Sequence, residues 1–156
     1  MEKFQKIELS FLVLILAFIV FLFLYSTGIT GFSVSNDNQN APYDFLSNDN
    51  IMVFNNSLTI NLSNYTLVRF EGTGSMLPVL SESSTGVGII PGSAKDVHVG
   101  DIINFESDKG IIVHRVIEIG DDELGTYFVT KGDNNNVGDG KVRFFQIRSV
   151  LVAVIY

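Results

Sequence analysis

Apolar positions in this chain follow two different rhythms. Residues 9–25 read LSFLVLILAFIVFLFLY, and no charged residue follows until Asp37. A bilayer core of about 30 Å takes about 20 apolar residues in a helix rising 1.5 Å per residue. Ile7 to Thr27 or Ile29 meets that length, with Gly28 and Gly31 at the exit, so the pattern predicts a transmembrane anchor over 7–29. A cleaved signal sequence has an apolar core of only about 7–15 residues and a small-x-small cleavage site. Tyr25-Ser26-Thr27-Gly28 is a poor site of that kind. Lys3 and Lys6 precede the helix, and the first cation beyond it is Arg69. Since Lys and Arg set topology, residues 1–6 are expected in the cytoplasm and everything after the helix on the outer face of a single-pass membrane protein.

The second rhythm is short and β-like. Residues 30–50 come first, rich in Asn, Asp and Ser, and read as a polar linker with little to bury. Beyond it, Leu58–Leu62, Thr66–Phe70, Asp101–Phe105, Ile111–Ile119, Thr126–Thr130 and Gln146–Tyr156 are runs rich in Ile, Val, Phe and Tyr. Gly100, Gly110, Gly120, Gly125, Gly132, Gly138 and Gly140 punctuate them. Short strands between glycine turns predict an all-β domain over 51–156, a compact sandwich or barrel. No internal repeat and no second long helix interrupts it.

Composition narrows the functional classes. At 156 residues the chain has room for one folded domain besides the anchor. Ten Lys and Arg against 17 Asp and Glu give a net charge of −7, which argues against a nucleic-acid partner. There is no cysteine, so neither a disulfide framework nor a thiolate site is available. Two histidines, His98 and His114, leave little from which to build a zinc site, and no metal or cofactor is expected. Asn55, Asn61 and Asn64 each begin an N-x-Ser/Thr sequon, which would be a glycosylation acceptor on an exported face and occurs as readily by chance in so Asn-rich a chain.

Three polar clusters interrupt the apolar text. Thr73-Gly74-Ser75-Met76-Leu77-Pro78 offers a hydroxyl beside a flexible glycine. Val113-His114-Arg115-Val116 sets an imidazole inside a strand, and by alternation His114 shares a face with Ile112 and Val116. Lys131-Gly132-Asp133-Asn134-Asn135-Asn136-Val137-Gly138-Asp139 is a turn-rich loop with two carboxylates six positions apart. A hydroxyl nucleophile, an imidazole base and an orienting carboxylate are the parts of a catalytic triad, whose members need not be close in sequence. Imidazole suits the base because it titrates nearest neutral pH. Taken singly, the same residues read equally well as an ordinary serine, a core histidine and a hairpin turn. The loop lacks EF-hand spacing, which sets calcium aside.

Their joint order carries more. Ser75-Met76-x-Pro78, Gly100-Asp101, His114-Arg115-Val116 and Lys131-Gly132-Asp133 with Asp139, behind one amino-terminal anchor, resemble type I signal peptidase in its archaeal and endoplasmic-reticulum branch. The resemblance spans about Gly72 to the end. It implies a signal-peptidase-like β fold and a serine endopeptidase that cleaves signal peptides from exported preproteins. Ser75 would be the nucleophile, His114 the general base and Asp139 its orienting partner, with Asp133 supporting the loop. The oxyanion would lie on the Ser75 backbone N–H, with Thr73 assisting, and Met76 and Pro78 would shape the substrate groove. Expected partners are preprotein signal peptides, membrane lipid and further membrane subunits. Residues 79–99 are longer than the connection expected there and read as an inserted hairpin beside the site. His98, within it, reads as a surface residue, and Lys131 ranks below His114 as a base because a lysine must be buried to lose its charge.

Two other readings stay open. The same peptidase could serve a restricted set of surface proteins. Alternatively, Phe4-Gln5-Lys6-Ile7-Glu8-Leu9 resembles the start of a mature type IV pilin, although Lys3 stands where a glycine is expected. That reading makes the β domain a non-catalytic surface structure.

Overall fold

The computed structural model describes Leu16, Phe18 and Ile19, which are helical, and residues 40–156. The segment 1–6, expected in the cytoplasm, and the anchor expected over 7–29 otherwise lie outside the described residues. Among those described, no helix is long and apolar enough to cross a membrane. The chain divides into two compact units, residues 1–38 and 39–156, and the second is an all-β unit.

Two strands form a hairpin of their own, β1 (Ile51–Val53) and β2 (Leu58–Ile60). The others are β3 (Tyr65–Arg69), β4 (Thr85–Ile89), β5 (Ile102–Ser107), β6 (Gly110–Asp122), β7 (Gly125–Lys131), β8 (Lys141–Arg143) and β9 (Ile147–Ile155). They make one antiparallel sheet in the order β3-β4-β9-β5-β6-β7-β8.

Both faces of this sheet are covered at its centre, which is why apolar residues stand at successive positions in β5 (Ile102, Ile103) and in β9 over 150–155. Ile103, Phe105 and Val150 turn to one side and join Val97, Val116, Phe128, Val142 and Ile147. Ile102 and Leu151 turn to the other and join Val68, Met76 and Leu80. Burying a side chain of this size contributes about 1.5–3 kcal/mol each. The two clusters therefore hold β5 and β9 from opposite directions.

Residues 79–99 do not form a hairpin. They contribute β4, which pairs with β3 on one side and β9 on the other. Its sequence, Thr-Gly-Val-Gly-Ile, looks like a turn because of its glycines. Those glycines are dictated by packing. A Cβ on Gly86 would lie 2.7 Å from the Phe70 ring and 2.8 Å from Leu151, and one on Gly88 would lie 2.7 Å from the Ser149 hydroxyl.

The linker also ends sooner than its composition suggests. The β unit begins at residue 39 rather than 51, because residues 40–45 dock on it. The Tyr43 backbone N–H donates to the buried Asp101 carboxylate at 2.7 Å, and the Tyr43 ring stacks on His98 with centroids 4.0 Å apart. Phe45 packs against the first core cluster. Gly100 has φ of +103°, and a Cβ there would collide with the carbonyl oxygens of Asn40 and Ala41. The segment thus needs glycine beneath it.

At the far edge of the sheet Asp122 accepts from Arg143 Nη2 at 2.8 Å and from Lys141 Nζ at 2.6 Å. Arg143 first, then Lys141, holds the Asp122 carboxyl well below the usual carboxylate range. A carboxyl depressed on folding stabilises the fold above its unfolded pKa of about 3.9 and loses that contribution as pH falls below it. The urea midpoint of Asp122→Asn should therefore trail the wild type by a constant margin from pH 7 to pH 5. The margin should close below about pH 4, and an unchanged gap there would assign the difference to something other than this charge.

Candidate active site

Ser75, His114 and Asp139 come from three separate parts of the sheet and meet at one point. His114 stands in β6 opposite Ile103 of β5 and is buried. Its Nε2 lies 3.1 Å from Ser75 Oγ and its Nδ1 lies 2.6 Å from Asp139 Oδ2. An ionised carboxylate can only accept, so the ring proton sits on Nδ1 and leaves Nε2 to accept from the serine hydroxyl. Asp139 is itself fixed twice. Thr130 Oγ1 donates to its carboxylate at 2.7 Å, and its backbone N–H donates to the Thr130 carbonyl at 2.6 Å.

Ser75 sits on a tight turn between β3 and β4. Gly74 has φ of +73°, a region that favours glycine. The Leu77 and Leu80 N–H groups donate back to the Gly74 and Met76 carbonyls. That coil sends Met76 and Leu80 into the second core cluster and turns Leu77 and Pro78 outward. Met76 is among the residues lining the groove described below, whereas Pro78 is not, because its place on the coil faces solvent. Thr73 Oγ1 donates to Ser75 Oγ at 3.3 Å, and the Ser75 N–H reaches the Thr73 hydroxyl only at 3.5 Å.

The loop after β7 grips this turn from behind. Asn134 donates its backbone N–H to the Ser75 carbonyl at 2.8 Å and its side-chain amide to the Gly74 carbonyl at 3.1 Å. Gly132 passes so close that a Cβ would lie 2.6 Å from the Ser75 carbonyl oxygen. The Asp133 N–H donates to Met76 Sδ at 3.4 Å. Its carboxylate takes two parallel bonds from Arg115 Nε and Nη2, both 2.8 Å, while Arg115 Nη1 donates to the Gly100 carbonyl at 2.8 Å. With side chains 7% and 3% exposed, Arg115 and Asp133 are a buried, bidentate pair. Arg115 and Thr130 carry no role in the sequence reading, and only the tertiary arrangement reveals one.

The remaining candidates fall elsewhere. His98 stacks on Tyr43, with Nδ1 3.6 Å from Asp101, and is not part of the groove lining. Lys131 lies in β7 opposite Arg115, also outside the lining. No cluster of His, Asp and Glu suited to a metal occurs among the described residues.

A groove of about 600 Å³ opens in front of Ser75 and His114. Leu67 to Glu71 line one wall and Ile111 to Val113 the other. Both walls are strand edges. Among the described residues β3 pairs only with β4, and β6 pairs with β7 only from Arg115 onward. Residues 110–114 thus have no strand partner on the side away from β5, among the described residues.

No protein-family model, curated protein or solved structure matches this chain. Its chemistry is read from the site.

Proposed function

We propose that the chain is a serine endopeptidase of the type I signal peptidase kind, anchored in a membrane by its amino-terminal apolar segment. On this reading it removes signal peptides from exported preproteins. The observation that carries the reading is the hydrogen-bonded line from Ser75 Oγ through His114 to Asp139, at 3.1 Å and 2.6 Å, placed at the mouth of a groove between two strand edges. A non-catalytic surface protein gives no reason for these three groups to be aligned.

The substrate lies extended in the groove and pairs its backbone with an exposed edge, as strand-addition ligands do. Ser75 Oγ attacks the scissile carbonyl while His114 Nε2 takes its proton, and the imidazolium is stabilised by Asp139. The oxyanion forms against the Ser75 N–H, which has only a long contact to give up, and the Thr73 hydroxyl beside it can turn to assist. His114 then protonates the leaving amine, and water releases the acyl-enzyme by the same steps in reverse order of proton transfer. An anchor concentrates enzyme and preprotein on one surface.

The test is cleavage of a labelled preprotein by the full chain in detergent micelles. Wild type should give one cut at the end of the signal sequence, and Ser75→Ala should give none while keeping its thermal unfolding midpoint. A folded wild type that cuts no preprotein, or a Ser75→Ala variant that still cuts, would overturn the reading.

A further inference from the structure

An oxyanion at Ser75 would rest on one backbone group, the Ser75 N–H, and little holds that group directly. Among the described residues it meets only the Thr73 hydroxyl, at 3.5 Å. Its direction is set by the peptide to which it belongs. A peptide unit is planar, so the Ser75 N–H and the Gly74 carbonyl point opposite ways from one rigid plate. Gly74, with φ of +73°, leaves that plate freer to rotate than any side-chain-bearing residue would. A flip of the plate would reverse the N–H.

What fixes the plate is bonded to its other end. Asn134 donates its side-chain amide to the Gly74 carbonyl at 3.1 Å, and the Leu77 N–H reaches the same oxygen at 3.2 Å. A carbonyl can only accept, so the Asn134 NH₂ and not its oxygen faces Gly74. The Asn134 backbone N–H takes the next carbonyl along, that of Ser75, at 2.8 Å. One residue thus holds both peptides that flank the nucleophile.

Asn134 is itself well held. The Asn135 N–H closes its loop on the Gly132 carbonyl at 2.9 Å. The preceding Asp133 carries the bidentate pair with Arg115, the residue after His114. The backbone of the nucleophile is therefore referred to the strand that carries its base. Asn134 is exposed, so water can replace its amide at the Gly74 carbonyl when the amide is removed. Water satisfies the carbonyl but has no fixed position. The loss is one of aim.

We infer that Asn134 is a positioning residue for the oxyanion: its side chain fixes the Gly74–Ser75 peptide so that the Ser75 N–H faces the oxygen as charge develops there. The inference rests on the peptidase reading above, with the Ser75 N–H as oxyanion donor. A hydrogen bond to the Gly74 oxygen also polarises the peptide and makes its N–H the stronger donor. Both effects act where negative charge forms in the transition state and leave binding of the ground-state substrate alone.

The test compares wild type with Asn134→Leu, similar in shape but without the donor, and with Asn134→Ala, each read below its own unfolding midpoint. For a labelled preprotein cut by the full chain in micelles, kcat should fall by about 10–100-fold with KM unchanged. That is less than the roughly 10²–10³ for removing an oxyanion donor outright. The second readout is inhibition by a signal-sequence peptide ending in an aldehyde, against the same peptide ending in an amide. Ser75 Oγ adds to the aldehyde carbon, its proton passes to His114, and the carbonyl π pair moves onto the oxygen, which then needs the donor. The amide peptide only occupies the groove. Both variants should lose about the same factor in aldehyde inhibition as in kcat, and none in amide inhibition. An aldehyde loss no larger than the amide loss, or a kcat equal to wild type, overturns the inference and leaves the peptidase reading standing. If wild type cuts no preprotein, the two fall together.

Discussion

Asp139→Asn should slow preprotein cleavage by about 10⁴-fold, and His114→Ala should take it to background. The difference in size follows from what each group does. Removing His114 leaves the Ser75 hydroxyl with no acceptor for its proton, so the rate should fall by on the order of 10⁶. Replacing the Asp139 carboxylate by an amide keeps the shape but offers His114 Nδ1 the wrong partner. The ring then loses the tautomer that leaves Nε2 free to accept. His114 Nδ1 and Thr130 Oγ1 meet the same oxygen, Oδ2, at 2.6 Å and 2.7 Å, so an amide NH₂ in that place would face the imidazole while the Thr130 hydroxyl, which can also accept, takes its other hydrogen. Single-turnover cleavage by each variant measures this, with Ser75→Ala/His114→Ala as the reference. The double variant should be no slower than either single one, because the groups act as a unit. Additive losses would mean that the three residues contribute separately and are not a triad.

Arg115→Met should destabilise the β unit by about 3–5 kcal/mol, the range for leaving one buried charge without its partner. The stranded group is Asp133, whose side chain is only 3% exposed. Its carboxylate would lose both 2.8 Å bonds, and the Gly100 carbonyl would lose its donor as well. Most of this penalty should vanish in Arg115→Met/Asp133→Leu, since an apolar pair of similar volume needs no charge partner. Urea unfolding of the two variants decides the matter. If the double variant is as unstable as the single, the pair holds the fold through its geometry and not only through charge. Because Asp133 and Asn134 hold the Ser75 turn, the single variant should also lose activity below its unfolding midpoint.

The legible parts of the fold are those where one physical demand dominates. β5, β6, β7 and β9 announce themselves by their β-branched and aromatic runs, and residues of β5, β6 and β9 serve both core clusters. β4 was hidden by Gly86 and Gly88, whose absence of side chain is set by Phe70, Leu151 and Ser149, residues distant in sequence. β8, Lys-Val-Arg, is too short to have a period. The docking of Tyr43 on Asp101 and His98 is invisible in so polar a segment because it depends on backbone and ring contacts, not on hydrophobic pattern. In the site, Ser75, His114 and Asp139 could be picked out from the order of their motifs. Arg115 could not be assigned a role, because its partner Asp133 lies 18 residues away and a charged residue in a strand ordinarily faces water. Asn104 was equally silent: its buried Oδ1 lacks a partner among the described residues, as does the buried oxygen of Ser149, which β9 brings beside it.

The position of β9 ties the two sides of the candidate site together. Ser75 belongs to the β3–β4 side of the sheet, His114 and Asp139 to the β5–β8 side, and among the described residues only β9 bridges the two through sheet pairing. The loop after β7 also ties them, through the Asn134 bonds to the Ser75 and Gly74 carbonyls. Without residues 147–155, β4 and β5 would each lose the strand that pairs with both. On the proposed reading, the line from Ser75 to His114 thus depends on a strand that contributes no residue to it.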